Sequence, residues 1–318
     1  MRSRWPATSS WGLGCAPLAG LYTAVGEDQA RATVDAAWDS GVRYFDTAPH
    51  YGAGVSEERL GRALADRPRD AFVLSTKVGR LLVDSDPGEP LFAGEPPRRR
   101  VRDYSADGVR RCLTESLERL GMDRIDVVYV HDPEEHWQQA VDEAIPALVE
   151  LRDAGMIDAI GAGMNEWQML TRFVTETDVD AVMVAGRWTL LDRSGVPLLD
   201  AARANGVAVI CAGVLNSGIL ADPVGSPTFD YEPAGDEVRG RVRHLEQRCA
   251  AFDVPLMAAA LQFPLRHPAV ASVVVGARSP AEVAEQAELR EHPVPAQLWA
   301  EFDDPDVAVR ASASGSGD

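Results

Sequence analysis

Short apolar runs recur along the chain, each followed by a longer segment whose apolar residues return every three or four positions. The runs are GVRYFDT (41–47), AFVLSTK (71–77), RIDVVYVH (124–131), MIDAIGAG (156–163), VDAVMVAG (179–186), GVAVICAG (206–213) and ASVVVGA (271–277), with WGLGCAP (11–17) ahead of them. They are rich in β-branched residues and nearly continuously apolar, which predicts parallel strands covered on both faces. The segments between them predict helices over 28–40, 56–65, 105–121, 137–154, 166–175, 196–205, 236–252 and 280–289. In 105–121, Val109, Cys112, Leu113, Ser116, Leu117 and Leu120 share one face, with Ser105 as the cap and Gly121 as the stop. Eight strands alternating with eight helices predict a closed (β/α)8 barrel of the α/β class. The competing open sheet lacks its fingerprint. GLGCAP begins like G-x-G-x-x-G, but Pro17 stands at the third glycine position and no helix follows at once.

Two connections are long: 80–104 after the third strand and 213–235 after the seventh. Both leave strand C-termini, so both border the rim on which barrels carry their sites, as lids or binding walls. One barrel domain is expected over 1–302, with 303–318, ending in ASASGSGD, as a disordered tail.

Charge narrows the partners. With 31 basic and 49 acidic residues the formal net charge is −18, a field that repels nucleic acid and anionic membrane surfaces and suits a small neutral substrate. The run Arg98-Arg99-Arg100 beside Pro96-Pro97 reads as a solvated loop segment. The opening MRSRWPATSS has no apolar core of a secretory signal, and no apolar run is long enough to span a bilayer. Cys15, Cys112, Cys211 and Cys249 are far apart and form no C-x-x-C pair, which reads as free thiols in the cytoplasm. The chain is expected to act as a monomer or small homo-oligomer.

Three polar residues end three successive strands: Asp46, Lys77 and His131. In a barrel these positions converge on one rim. Tyr51 lies on the loop after Asp46, between His50 and a Gly52/Gly54 pair whose conformational freedom lets the loop turn back. Each residue alone has a plain structural role available, but together they form a proton-transfer site. A lysine ammonium beside a phenol favours phenolate and lowers the tyrosine pKa from ~10 toward working pH. Asp46 would fix Lys77, and His131 would orient a substrate oxygen. His50 and His136 read as bystanders. His131 and Asp132 lack the spacing of a metal pair, so no metal is expected.

The segments FDTAPHYGAGVSEERLG, STKVGRLL, DVVYVHDPE, IGAGMNEW and VVVGARSP follow one another as they do in the aldo-keto reductases, and from about Leu13 to Trp299 the chain resembles that family. The segments DYSADGVRRCLTESLERLG, AGRWTLLD, NSGIL and TFDY are similar to its aldose dehydrogenase branch, which includes L-fucose dehydrogenase, D-threo-aldose 1-dehydrogenase and pyridoxal 4-dehydrogenase. The resemblance implies a TIM barrel of the aldo-keto reductase type that binds NAD or NADP without a Rossmann domain, and a catalytic tetrad of Asp46, Tyr51, Lys77 and His131. It places the nicotinamide amide by Asn165 and Arg187. It places the pyrophosphate by Leu215, Asn216, Ser217, Gly218 and Leu220, with backbone amides as the cradle. The adenosine end falls by Gly276, Arg278, Glu282 and Gln286, where Glu282 would repel a 2′-phosphate and favour NAD while Arg278 would attract one. The expected activity is oxidation of a free sugar to its lactone. Pyridoxal 4-dehydrogenase and general carbonyl reductase are the enzymatic alternatives, and a non-catalytic nicotinamide-binding regulatory protein is the alternative of another class. Trp188, Phe92 and Tyr104 are candidate stacking residues. The end EFDDPDVAVRASASGSGD departs from that branch.

Overall fold

A computed structural model describes residues 5–6, 9–21, 23–85, 91–225 and 228–303. Its strands, in chain order, are β1 (Trp11–Gly14), β2 (Tyr44–Asp46), β3 (Val73–Val78), β4 (Arg80–Asp84), β5 (Arg98–Arg102), β6 (Val127–His131), β7 (Ala159–Met164), β8 (Ala181–Ala185), β9 (Ala208–Ala212), β10 (Thr228–Phe229), β11 (Glu232–Pro233) and β12 (Val270–Gly276). Eight of them, β1, β2, β3, β6, β7, β8, β9 and β12, form a closed parallel barrel in sequence order, with β12 pairing back on β1. The expected (β/α)8 barrel is therefore the observed fold.

The apolar continuity of the strands follows from two cores. Inward residues such as Tyr44, Val127, Tyr129, Ala181, Met183 and Ile210 fill the barrel, while outward ones such as Phe45, Leu74, Val128 and Val182 meet the surrounding helices. Helix Ala106–Leu120 shows the expected ends. Ser105 Oγ accepts a hydrogen bond from Gly108 N, and Gly121 adopts φ 63°. The expected helix over 137–154 is instead broken into Trp137–Gln139, a π-helical turn Ala140–Ala144 and Ile145–Asp153. Pro146, which has no N–H to give the preceding turn, sits just past the widened segment. Two further helices, Leu256–Gln262 and Ala296–Asp303, escaped the sequence reading. The first is buried on nearly all sides, so its sequence LMAAALQ shows no polar face to mark a helical period. Asp303 closes the second helix and so is not part of a tail; residues 304–318 lie outside the described residues.

Carboxylates staple neighbouring strands at the end of the barrel opposite the rim. Asp126, just ahead of β6, accepts hydrogen bonds from Leu74 N of β3 (2.6 Å) and from Arg69 (2.6 Å). Asp180, just ahead of β8, accepts from Ile160 N of β7 (3.0 Å) and from Arg152 (2.7 Å).

The long connections are structured. β4 and β5 form an antiparallel hairpin with Arg80 opposite Arg102 and Asp84 opposite Arg98, and β10 pairs with β11. The reading of Arg98-Arg99-Arg100 as a solvated loop is thus corrected. The run is a strand whose alternation leaves Arg99 exposed and turns Arg98 and Arg100 toward the barrel.

Candidate active site

The parallel register sets Asp46 beside Ser75 and Lys77 beside Tyr129, so these side chains share the inward-facing set of the barrel. Asp46 and Lys77 are 3% and 2% exposed. Beyond β2 the chain turns through three consecutive left-handed residues, Gly52 (φ 62°), Ala53 (φ 50°) and Gly54 (φ 97°). A Cβ at Gly52 would lie 2.6 Å from the Ala19 Cβ, so both the turn and the close approach require glycine there. The turn returns Tyr51 to the strand ends.

Lys77 gives two of its three N–H donors to fixed acceptors and brings its charge beside Tyr51. Nζ donates to Asp46 Oδ2 (2.7 Å) and to Thr47 O (3.0 Å), and lies 4.7 Å from the Tyr51 ring centroid, where its charge acts on the phenol. Burial opposes the charge on Lys77, but Asp46 and Tyr51 outweigh it and hold the ammonium above its ordinary pKa. Tyr51 departs from expectation. Burial raises its pKa, and the opposing pull of Lys77 does not cancel that effect, so the phenol sits above rather than below its usual value of 10.0. Sequence shows the lysine but not the desolvation.

His131 closes the group with its ring 6.0 Å from that of Tyr51. Burial, then the charges of Arg80 and Lys77, hold its pKa well below the ordinary histidine value, so the imidazole is neutral. Its buried Nδ1 has no hydrogen-bond partner among the described residues. His50, read as a bystander, belongs to this cluster. Its ring lies 5.7 Å from His131 and 6.1 Å from Tyr51. Burial and Arg80 lower its pKa to about 3. Arg80 links His50 Nδ1 (3.2 Å) to Asp132, whose Oδ2 is 3.5 Å from His131 Nε2. Adjacency to Tyr51 was the only cue to His50 in the sequence. His136 packs on Tyr104, 5.1 Å between ring centroids.

The hairpin grips the tyrosine loop from outside. Arg100 donates twice to His50 O (3.1 and 2.9 Å) and pairs with Glu95, whose side chain is fully buried, while Arg98 donates to Ala53 O (3.1 Å). The two arginines thus fasten the carbonyls on either side of Tyr51. Arg100→Ala is expected to reduce stability by about 3 kcal/mol, because it strands the Glu95 carboxylate, and to lower kcat as the Tyr51 loop loosens. Chemical denaturation beside steady-state kinetics checks this; unchanged stability would mean that Glu95 does not depend on Arg100.

Of the three aromatic candidates, Phe92 stands at the site, 6.4 Å from Tyr51 and 5.8 Å from His50. Tyr104 is fully buried and its hydroxyl donates to His131 O (2.6 Å) and Asp132 O (2.7 Å), so it holds the end of β6 and is not a stacking surface. Trp188 packs on Phe263 and donates to Pro264 O (3.1 Å).

The residues expected around the cofactor are distributed along the same rim. Asn165 follows β7 and is half-buried. Arg187, expected at the nicotinamide, pairs with Asp230 (2.9 Å) and Asp192 (3.4 Å), which ties the end of β8 to the 213–235 connection. In 215–220 the amides of Asn216, Gly218 and Leu220 donate to Gly213 O, Leu215 O and Leu215 O, closing turns, and the Leu220 side chain is core. Those three amides thus close local turns in the segment expected to border the pyrophosphate. Ser217 accepts from Tyr231 N through its hydroxyl (3.0 Å), Leu215 is half-buried, and the buried Asn216 Oδ1 has no hydrogen-bond partner among the described residues. At the other end Gln286 donates to Gly276 O (2.9 Å), and Arg278 pairs with Glu282 (2.7 Å). Among the described residues no group of three His, Cys, Asp or Glu could hold a metal ion, and no helix is long and apolar enough to cross a membrane.

The sequence pattern of the Aldo/keto reductase family matches residues 11–306. The chain is 43% identical to a D-threo-aldose 1-dehydrogenase of Pseudomonas sp, over 95% of this chain and 97% of that protein. It is also 43% identical to the pyridoxal 4-dehydrogenase of Microbacterium luteolum, over 91% of each. Among solved structures, an aldo-keto reductase of Bacillus halodurans in its holo form superposes with a TM-score of 0.75 at 26% identity, covering 97% of this chain and 94% of that one. With its barrel closed, its polar quartet assembled on the rim and these relatives beside it, the chain belongs to the aldo/keto reductase family and is an oxidoreductase.

Proposed function

We propose that the protein is an NAD(P)-dependent aldose 1-dehydrogenase that oxidises a free sugar of the L-fucose or D-threo-aldose type to its lactone. The observation that carries this reading is the Lys77 ammonium, fixed by Asp46 and Thr47 O and held 4.7 Å from the Tyr51 ring centroid. Tyr51, ionised with the help of Lys77, accepts the proton of the anomeric hydroxyl, and the neutral His131 holds the same oxygen. Asp132 and His50 add polar groups beside it that suit a hydroxyl-rich substrate. The bound nicotinamide supplies the acceptor for the hydride that leaves the carbon. Two buried rim atoms without hydrogen-bond partners among the described residues, His131 Nδ1 and Asn216 Oδ1, fit polar groups of the substrate and of a dinucleotide along the rim. Asn165, Ser217 and Gln286 are the residues that would hold the dinucleotide. The pairing of Arg278 with Glu282 favours NAD, because a 2′-phosphate would meet a carboxylate. Four buried, unpaired cysteines support a cytoplasmic setting.

Phe92 beside Tyr51 favours a second reading, oxidation of the hemiacetal of pyridoxal, whose flat ring would stack there. Both are tested by following reduced nicotinamide absorbance with each cofactor against L-fucose, D-arabinose, L-galactose and pyridoxal. Reduction with aldoses is the expected result; turnover of pyridoxal alone would replace the first reading with the second. A higher kcat/KM with NADP would show that Arg278 outweighs Glu282.

A further inference from the structure

Beneath the site, three hydroxyls continue the polar network down the barrel axis. Ser75 Oγ donates to Asp46 Oδ1 (2.7 Å), Tyr44 OH lies 3.0 Å from Ser75 Oγ, and Tyr129 OH lies 3.4 Å from Tyr44 OH. All three side chains are completely buried. The direction of the chain is fixed by proton counting. An ionised carboxylate only accepts, so Ser75 gives Asp46 its single proton; Tyr44 must then donate to Ser75, and Tyr129 to Tyr44. Burial keeps both phenols well above their ordinary pKa, so each stays a donor.

The surrounding chain makes room for these rings. A Cβ at Gly12 would come within 2.6 Å of Tyr44 Cδ1, and one at Gly161 within 2.8 Å of Tyr129 Cδ1. An apolar interior needs no hydroxyl at these places, and unpaired ones would cost stability. Their presence in one directed chain that ends on Asp46 therefore calls for a role.

We propose that Ser75, Tyr44 and Tyr129 are positioning residues for proton transfer: a one-way chain of donors that occupies one oxygen of Asp46 and leaves the other to hold Lys77 against Tyr51. This rests on the reading of Tyr51 as the proton-transfer residue. With Oδ1 satisfied, the carboxylate pulls less on Lys77, whose charge beside the ring then stabilises the Tyr51 phenolate. Tyr51 is also faced by His131 and Asp132 at the end of β6 and by His50 on its own loop, with Arg80 of β4 bound to His50 and Asp132; the hydrogen bonds of the three hydroxyls go to none of these.

Ser75→Ala is expected to lower kcat about tenfold with KM changed by less than about twofold, and to move the basic limb of the pH profile further up. Tyr44→Phe, which keeps the ring and so the packing, is expected to shift both in the same direction by about threefold or less. Because the hydroxyls act in series, the double variant should be no slower than Ser75→Ala. Tyrosine labelled with 13C at Cζ reads the Tyr51 ionisation directly in the protein without substrate, and should show the same upward movement. Variants that lose only melting temperature, additively, with the pH limb and the Tyr51 resonance unmoved, would overturn the proposal. The functional reading fails separately, by an active Tyr51→Phe.

Discussion

Tyr51→Phe is expected to lower kcat about 10³-fold while leaving the fold and cofactor binding in place, since a positioned acid–base group contributes roughly 10²–10⁴. The reasoning is local. Among the described residues, the phenol is the titratable group that lies beside Lys77 with the rings of His131 and Phe92 next to it, so no neighbour is placed to act instead as proton acceptor. Burial holds the Tyr51 pKa above its usual value, so oxidation by the native protein should accelerate as pH rises toward that pKa. The variant's residual rate should be flat over the same range. Stopped-flow turnover across pH, with tryptophan quenching as the measure of cofactor binding, decides it. A variant that keeps the native rate and its pH dependence would remove Tyr51 from the chemistry.

Lys77→Met should be the most damaging of the tetrad substitutions for the fold as well as for turnover. The ammonium neutralises a carboxylate that is 4% exposed, and the methionine thioether offers it no donor. Ser75 remains as a partner of Asp46, but one neutral hydroxyl does not replace a charge. Breaking a buried pair from one side costs about 3–5 kcal/mol, a large part of a typical stability. Combining Lys77→Met with Asp46→Asn removes the stranded charge and should recover much of that loss. The double variant should stay inactive, because nothing then stabilises the Tyr51 phenolate. Urea denaturation of the three variants checks the first half and nicotinamide reduction the second. A single variant as stable as the native protein would show that Asp46 does not need its counter-ion.

What could be read from the residues depended on whether the cue was a pattern or an environment. The apolar runs marked the barrel strands because parallel strands between two cores must be apolar on both faces. Asp46, Lys77 and His131 were visible because each interrupts such a run at its end. The hairpin of β4 and β5 was hidden by its composition: RRRVR carries four charges, and only its pairing with 80–84 makes it a strand. His50 escaped because nothing in APHYG separates a ring at the site from one in solvent. The phenol's upward shift was missed because burial belongs to the fold and not to the neighbours in sequence. That the amides of Asn216, Gly218 and Leu220 close local turns could not be seen in NSGIL. Helix Leu256–Gln262 was overlooked for want of a polar face.

The staples of Asp126 and Asp180 bind strand to strand at the far end, away from the 80–104 and 213–235 excursions. Part of the barrel's fastening therefore lies far from the rim. An engineer who alters the 80–104 excursion has to spare the Arg100–Glu95 pair, whereas a change at Arg69 or Arg152 would weaken the scaffold without touching a rim residue.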